Sequence, residues 1–162
     1  MRAFVTTAIA AMLVAGCGGE KTVYSDTEGN EVNVTREGDG EASEIEIKSA
    51  DGTATVNING GDANTKLPLG LEVYPGAKVV STMMSNADGK SGGMVIMESS
   101  AKPDVVLAWY RKSIEGKGFK IESEITMQDM RSIAGSREGG TFSLQVAPAD
   151  AGTSITLIAG EG

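Results

Sequence analysis

The sequence contains no histidine and a single cysteine, and these two absences limit its chemistry. Without imidazole, Ser-His-acid and Cys-His nucleophilic catalysis, imidazole proton transfer and the usual zinc sites are excluded. Aromatic residues are also scarce, at 4% of the chain. Glycosidase clefts that use paired carboxylates usually need aromatic platforms for the sugar, so this chemistry is disfavoured too. We therefore predict a protein that is not an enzyme and has no catalytic residues.

Charge is the second property that limits the partners of the chain. The formal net charge is −8, and it is unevenly placed. Residues 18–65 contain eleven acidic against three basic residues, a net of −8, whereas residues 66–162 contain eleven against ten, a net of −1. An acidic surface repels phosphate backbones and anionic lipid headgroups. We expect no nucleic-acid partner, and any membrane attachment must come from another source.

The N-terminus contains a short apolar run, Ala3 to Ala15, directly behind Met1-Arg2. A run of this length is too short to span a bilayer as a helix, and with the small residues at its end it is typical of a secretory signal. The residue after those small residues is the one cysteine, Cys17. The stretch Val14-Ala15-Gly16-Cys17 resembles the lipobox of bacterial lipoproteins. The alternative is an ordinary secretory signal with a cysteine nearby by chance.

The lipobox resemblance implies cleavage between Gly16 and Cys17 and a covalent lipid on the Cys17 thiol. That lipid is the only non-protein group we predict, and no other cofactor is expected. Two or three acyl chains make membrane attachment stable, whereas one gives marginal binding. In lipoproteins of bacteria with two membranes, aspartate after the lipidated cysteine commonly marks inner-membrane retention. Gly18 stands there, so the resemblance implies the outer membrane, facing the periplasm.

The sequence divides into three parts: residues 1–16 as a lipoprotein signal peptide, 17–65 as an acidic β-rich segment with a linker, and 66–162 as an α+β domain. In the second part, Glu44 to Lys48 and Thr53 to Ile58 alternate polar with apolar residues around Asp51-Gly52, a pattern that predicts a β-hairpin. The apolar side of this segment is thin, so alone it buries little surface.

The third part contains one convincing helix, from about 102 to 116. Pro103 suits a first helical turn, and Val106, Tyr110 and Ile114 recur at a spacing of four to form an apolar stripe. Strand-like segments precede and follow it. The predicted fold class is α+β, a mostly antiparallel β-sheet with this helix across a face, preceded by a small β-hairpin-rich segment.

The C-terminal half also resembles small α+β domains of uncharacterised exported bacterial proteins. The segments that resemble them are Tyr74-Pro75-Gly76-Ala77, Trp109-Tyr110, Gly118-Phe119 and Gly152-Thr153-Ser154-Ile155-Thr156-Leu157. These segments mark turns and core positions, so the resemblance implies a fold and no activity.

Methionines offer the one candidate metal site. Met94 with Met97, and Met127 with Met130, have Met-x-x-Met spacing, and thioethers bind Cu(I) or Ag(I). However, residues three apart on a strand point to opposite faces, and methionine more often fills cores. No metal site is favoured, and soft-metal binding through these four residues remains the alternative function.

These observations predict a lipid-anchored bacterial envelope protein with a non-enzymatic binding, adaptor or structural role. Its partners would be the membrane, through the anchor, and another envelope protein. We expect the docking surface on the thin N-terminal sheet, because exposed edge strands accept a further strand. Ile45 and Ile47 lie in that segment.

Overall fold

The structure is a computed structural model that describes residues 10–16, 19–27, 29–36, 42–61, 67–150 and 152–162. Within these ranges the chain forms eleven strands, one α-helix and a 3₁₀ turn at Pro68–Gly70. The strands and the helix are β1 (Ala10–Gly16), β2 (Gly19–Ser25), β3 (Glu31–Arg36), β4 (Ala42–Ser49), β5 (Gly52–Gly61), β6 (Lys78–Ala87), β7 (Lys90–Ser99), α1 (Pro103–Gly116), β8 (Lys120–Met127), β9 (Met130–Arg137), β10 (Gly140–Ala149) and β11 (Gly152–Glu161).

The described strands form a single antiparallel sheet in the order β1-β2-β3-β4-β5-β6-β7-β11-β10-β9-β8. From β1 to β7 the sheet is a meander, in which each strand pairs with the next one along the chain. After β7, helix α1 crosses the sheet to its far edge, where β8 begins. Strands β8 to β11 then return, so that β11 pairs with β7.

Local sequence accounts for the bounds of α1. Pro103 occupies the first helical position, where its missing N–H costs no hydrogen bond. Asp104 lies in the first turn and forms an ion pair with Arg131 of β9. At the other end, Gly118 adopts φ +81°, which glycine tolerates and a helix does not continue through. The Phe119 N–H then donates to the Ile114 carbonyl at 3.2 Å and closes the helix end.

The hydrophobic core lies between α1 and strands β6 to β11. Four helix residues are buried there: Val106, Leu107, Tyr110 and Ile114. The strands supply the other side of the core, with buried residues that include Val79, Val95, Met97, Ile133, Phe142, Leu144, Val146, Ile155, Leu157 and Ala159. Complete burial of a side chain of this size contributes about 1.5–3 kcal/mol. This core is therefore the main source of stability for the C-terminal half.

The segment before β6 packs on the same side of the sheet as α1. Glycines make room for it, because a Cβ on Gly93 would lie 3.2 Å from Pro68 Cδ and one on Gly140 would lie 2.5 Å from Leu69 Cδ1. Arg137 fixes this segment to the helix end, since its guanidinium donates to the carbonyls of Leu69 (3.0 Å) and Lys117 (2.8 Å).

The predicted fold class is wrong in its separate hairpin-rich segment, whereas a mostly antiparallel sheet with one helix across a face is what the described residues form. The described strands belong to one long sheet, because β5 pairs with β6 along its length, with Thr55 opposite Met84 and Val56 opposite Met83. The physical reason is that an unpaired β6 would leave a row of backbone N–H and C=O groups without partners. The helix, expected at about 102–116, lies at Pro103–Gly116 and covers one end of this sheet.

Candidate binding surface

Strand register brings the apolar residues of the N-terminal strands onto the face opposite α1. Residues that are paired across an antiparallel sheet point to the same side. Leu157 pairs with Val95 on the side where α1 packs, so their neighbours Ile158 and Met94, which also pair, point away from the helix. This face is termed the open apolar face below.

Three rows of side chains make up the open apolar face. The longest row crosses six strands and contains Val34, Ile45, Val56, Met83, Met94 and Ile158. A second row contains Tyr24, Val32, Ile47 and Ala54. The third row includes Ile58 and, beyond Ser81, Ile96. The apolar side chains of β2 to β5 thus continue into β6, β7 and β11 as one surface.

Solvent exposure identifies this face as uncovered in the described part of the chain. Five of its side chains rank among the exposed large hydrophobics: Tyr24, Ile47, Ile58, Met83 and Ile158. Met83 in the longest row is 43% exposed and Ile158 is 44% exposed. Monomeric soluble proteins rarely leave large contiguous apolar patches uncovered, and such patches commonly mark interaction sites.

The other face of the same N-terminal strands is polar and acidic. Glu46 forms an ion pair with Lys48 at 3.0 Å, and this contact raises the pKa of Lys48. Asn33 is buried between β2 and β4, and its amide donates to Glu31 (2.7 Å) and more weakly to Glu46 (3.4 Å). The two faces therefore differ in chemistry, and the apolar one is without a carboxylate in its three rows.

Concavities also lie on other parts of the surface. One, of about 380 Å³, lies under the 3₁₀ turn and is lined by Thr53, Thr55, Leu67, Pro68, Met84, Ser85, Asn86, Ser91 and Gly92. Another, of about 550 Å³, lies at a strand end and includes Lys78, Glu98 and Asp150. A further one, of about 660 Å³, lies between α1 and β8 and includes Arg111, Glu115 and Glu124. By contrast, Val106, Ile114 and Ile155 are completely buried between α1 and the sheet, so that interface is filled by the chain itself.

The sequence-predicted lipidation site is only partly described. Cys17 lies outside the described residues. Gly16, on the predicted cleavage side, ends β1 and pairs with Gly19 of β2. Ile45 and Ile47 were expected on an exposed edge strand, but β4 is an interior strand that pairs with β3 and β5, so no further strand can be added there. Their side chains lie on the open apolar face, in its longest and second rows.

The four methionines of the alternative metal site are not brought together. Met94 lies on the open apolar face, whereas Met97 is buried on the helix side, where Tyr110 Oη contacts its sulfur at 3.7 Å. Met127 and Met130 pair at the β8–β9 turn, and β11 and β10 separate them from β7. Across the described ranges, no group of three or more His, Cys, Asp or Glu residues is arranged to hold a metal ion.

The contribution of Met83, Met94 and Ile158 to the open apolar face was not predicted from the sequence. Their apolar character was visible, but which face each occupies depends on strand pairing across the whole sheet.

Among the described residues, no helix is long and apolar enough to cross a membrane.

The fold defines a structural class: an antiparallel sheet with one helix packed against one of its faces. A family model described as START domain-like matches residues 79–154, a little under half of the chain. Neither the curated proteins nor the solved structures contain a significant match to this chain. The matched segment runs from β6 into β11 and includes α1, so the similarity lies in the helix-covered part. It suggests a ligand-binding role, which is compatible with the predicted binding function.

Proposed function

We propose that the protein is a non-enzymatic binding protein of the bacterial cell envelope, held at the membrane by a lipid on Cys17, and that it binds through the open apolar face. The observation behind the binding surface is the row Val34, Ile45, Val56, Met83, Met94 and Ile158, which is continuous across six strands. No other described element packs on this row, and its members Met83 and Ile158 are exposed. Apolar surface removed from water contributes about 25 cal/mol per Å², so covering this face supplies a large favourable term for binding.

The two edges of the sheet support removal of the segment before Cys17. Edge β8 has the features of a protected edge, with Lys120, Glu122 and Glu124 and a register shift between Ile121 and Ser123. Edge β1 has the sequence AAMLVAG, which contains no charge. An uncharged apolar edge invites aggregation, so it is a poor outer strand for a mature protein.

Cleavage after Gly16 leaves the remaining sheet intact. In the described sheet β1 is the outermost strand and pairs with β2, so its loss leaves β2 to β11 in the same order. The new edge, β2, contains Glu20 and Lys21 and is better protected. Because Gly18 alone separates Cys17 from the start of β2, a lipid on Cys17 would hold this edge of the sheet close to the bilayer.

Cys17→Ala tests the anchor. In cells labelled with a fatty acid, we expect the wild-type protein to take up the label, to remain with membranes and to lose residues 1–16. The Cys17→Ala variant should lose the label and the membrane attachment that depends on it. Intact mass spectrometry distinguishes the acylated from the bare N-terminus. An unlabelled wild-type protein with an unmodified thiol would contradict the anchor.

Gly18→Asp tests the proposed outer-membrane location in a host with two membranes. The substitution should move the lipoprotein to the inner membrane, as measured by separating the two membranes on a density gradient. Gly19→Asp is the matched control, because it introduces the same charge one residue later and should leave the location unchanged. Equal distributions for the wild type and Gly18→Asp would contradict the proposal.

Paired lysine substitutions test the binding surface. Ile45→Lys with Ile47→Lys should abolish cross-linking to an envelope partner in cells, because two charges would interrupt the apolar rows. Thr53→Lys with Thr55→Lys adds the same charge on the other face, beside the 380 Å³ concavity, and should leave cross-linking intact. If the isoleucine variant keeps cross-linking and the threonine variant loses it, binding would be assigned to the concavity, and the open apolar face would be rejected as the binding surface.

A further inference from the structure

The open apolar face is broad, and the residues of its three rows are uncharged; these properties define the partner it fits. Its longest row spans five strand spacings, from Val34 on β3 to Ile158 on β11, and two shorter rows lie beside it. At about 4.8 Å per spacing, and with three side-chain rows about 7 Å apart, the face is about 24 Å by 20 Å, or about 500 Å². This exceeds what one docked helix or strand would cover, so the partner must present a comparably broad surface.

A second sheet is the natural partner for such a face. Sheets that pack face to face lie about 10 Å apart and interdigitate apolar side chains from both inner faces. If a twofold axis relates the two copies, the same rows of each copy face one another. The open apolar face then needs to be complementary only to itself. Two copies would bury about 1,000 Å² in total, which is about the smallest area of a specific interface, so the association is a weak one.

Charge distinguishes a second copy from a lipid surface as the occupant. The N-terminal segment has a net charge of −8, from eleven acidic and three basic residues between positions 18 and 65, so anionic headgroups would repel it. In a face-to-face pair, Glu44 and Glu46 point outward, away from the interface, because they lie on the opposite side of β4 from Ile45 and Ile47. The like charges of two copies are thus kept apart by the thickness of both sheets.

We propose that two copies of this chain associate through their open apolar faces to form a two-layer β-sandwich dimer. The inference rests on the proposed use of this face for binding, and it names the occupant. Lipid-anchored copies confined to one membrane would meet at a high effective concentration, which favours even a modest interface.

The first test measures mass against concentration. The mature chain, residues 17–162, with Cys17→Ser lacks both the lipid and the uncharged edge strand β1. It is examined by sedimentation equilibrium between about 1 and 100 µM, the range in which interfaces of this size dissociate. The average mass should rise from monomer to dimer. Val56→Lys should weaken the dimer by about 100-fold or more, because each dimer would bury two unpaired ammonium groups. Asn57→Lys, with the same charge on the next residue and the other face, should leave it unchanged.

The second test locates the contact by methionine oxidation. Met83 lies within the open apolar face, whereas Met127 is 60% exposed at the β8–β9 turn, outside it. Raising the protein concentration should slow peroxide oxidation of Met83 several-fold and leave Met127 unchanged. A chain that stays monomeric throughout, or a dimer in which Met83 keeps its monomer rate, would overturn the dimer.

Neutral and anionic phosphatidylcholine-based vesicles distinguish the remaining occupants. Protection of Met83 by vesicles but not by concentration would assign the face to lipid and overturn the dimer. Loss of partner cross-linking in Ile45→Lys with Ile47→Lys, combined with a strictly monomeric wild type, would keep the proposed binding surface and reject only the second copy. Retained cross-linking together with a monomeric wild type would reject both.

Discussion

Strands β6 to β11 and strands β2 to β5 belong to one sheet, but they differ in which face is apolar and in what covers it. In the C-terminal half, Val95, Leu144 and Leu157 face α1 and are almost completely buried. In the N-terminal half, Val34, Ile45 and Val56 face the other way, where no described element packs on them. The same alternating pattern thus builds a closed core at one end and an open surface at the other.

Met94 and Ile96 on β7 and Ile158 on β11 lie where the open apolar face continues onto strands that also bury residues under α1. On β7 and β11 both faces are apolar, since Met97 and Leu157 fill the core while Met94 and Ile158 continue the open rows. Strand β7 and the first three residues of β11 belong to the region that matches the START domain-like family model. The open apolar face is therefore joined to the strands that carry the buried core and does not depend on the N-terminal strands alone.

The largest expected effect is a difference in the free energy of unfolding between substitutions at two adjacent residues of β11. Leu157 is 1% exposed under α1 and Ile158 is 44% exposed on the open face. Leu157→Ala should lower the free energy of unfolding by about 2–5 kcal/mol through the lost contacts and the cavity left behind, whereas Ile158→Ala should cost well under that. Urea denaturation of both variants measures the difference. Equal losses would mean that both faces of β11 are buried.

The next prediction concerns local opening. Amide hydrogens of β3 to β5 should exchange faster with deuterium than those of β10 and β11, because elements with few buried apolar contacts open at lower free energy. Exchange followed by mass spectrometry of peptides compares the two groups in one sample. Comparable protection would show that the N-terminal strands have a cover equivalent to α1.

The smallest expected change in the free energy of unfolding concerns Tyr110 in the core. Its hydroxyl donates to the Glu72 carbonyl at 3.2 Å, and burial raises the pKa of the phenol. Tyr110→Phe should lower the free energy of unfolding by about 1 kcal/mol at neutral pH.

The pH dependence follows from the direction of that shift. Below about pH 10 the phenol is neutral in both states, whereas above it the unfolded chain ionises and the folded one resists ionisation. The free energy of unfolding should therefore fall as pH rises past about 10, and Tyr110→Phe should fall less steeply. Identical slopes for the two proteins would mean that the Tyr110 phenol ionises as easily in the folded chain as in the unfolded one.

Local sequence patterns predicted the elements better than their assembly. Pro103 and the spacing of Val106, Tyr110 and Ile114 placed the helix at about 102–116, against Pro103–Gly116 in the structure. The alternation of polar and apolar residues in 44–48 predicted that Ile45 and Ile47 share one strand face. The same pattern in 53–58 predicted this for Val56 and Ile58. These features depend on residues within a few positions of each other, so the sequence alone contains the necessary information.

Long-range pairing could not be predicted in the same way. Whether β5 pairs with β6 depends on the register of Val56 against Met83, which neither strand specifies alone. The error in fold class came from this pairing, because the thin N-terminal hairpins looked separable when their partner strand was unknown. The open apolar face was missed for the same reason, since its longest row draws each residue from a different strand.

The most direct test of the account is the stability of Val56→Lys under conditions in which the chain is monomeric. The account predicts a change in the free energy of unfolding of less than about 1 kcal/mol, because a lysine on an open face stays hydrated. A loss of about 3 kcal/mol or more would show that Val56 is buried by another part of the same chain and would contradict an open binding face.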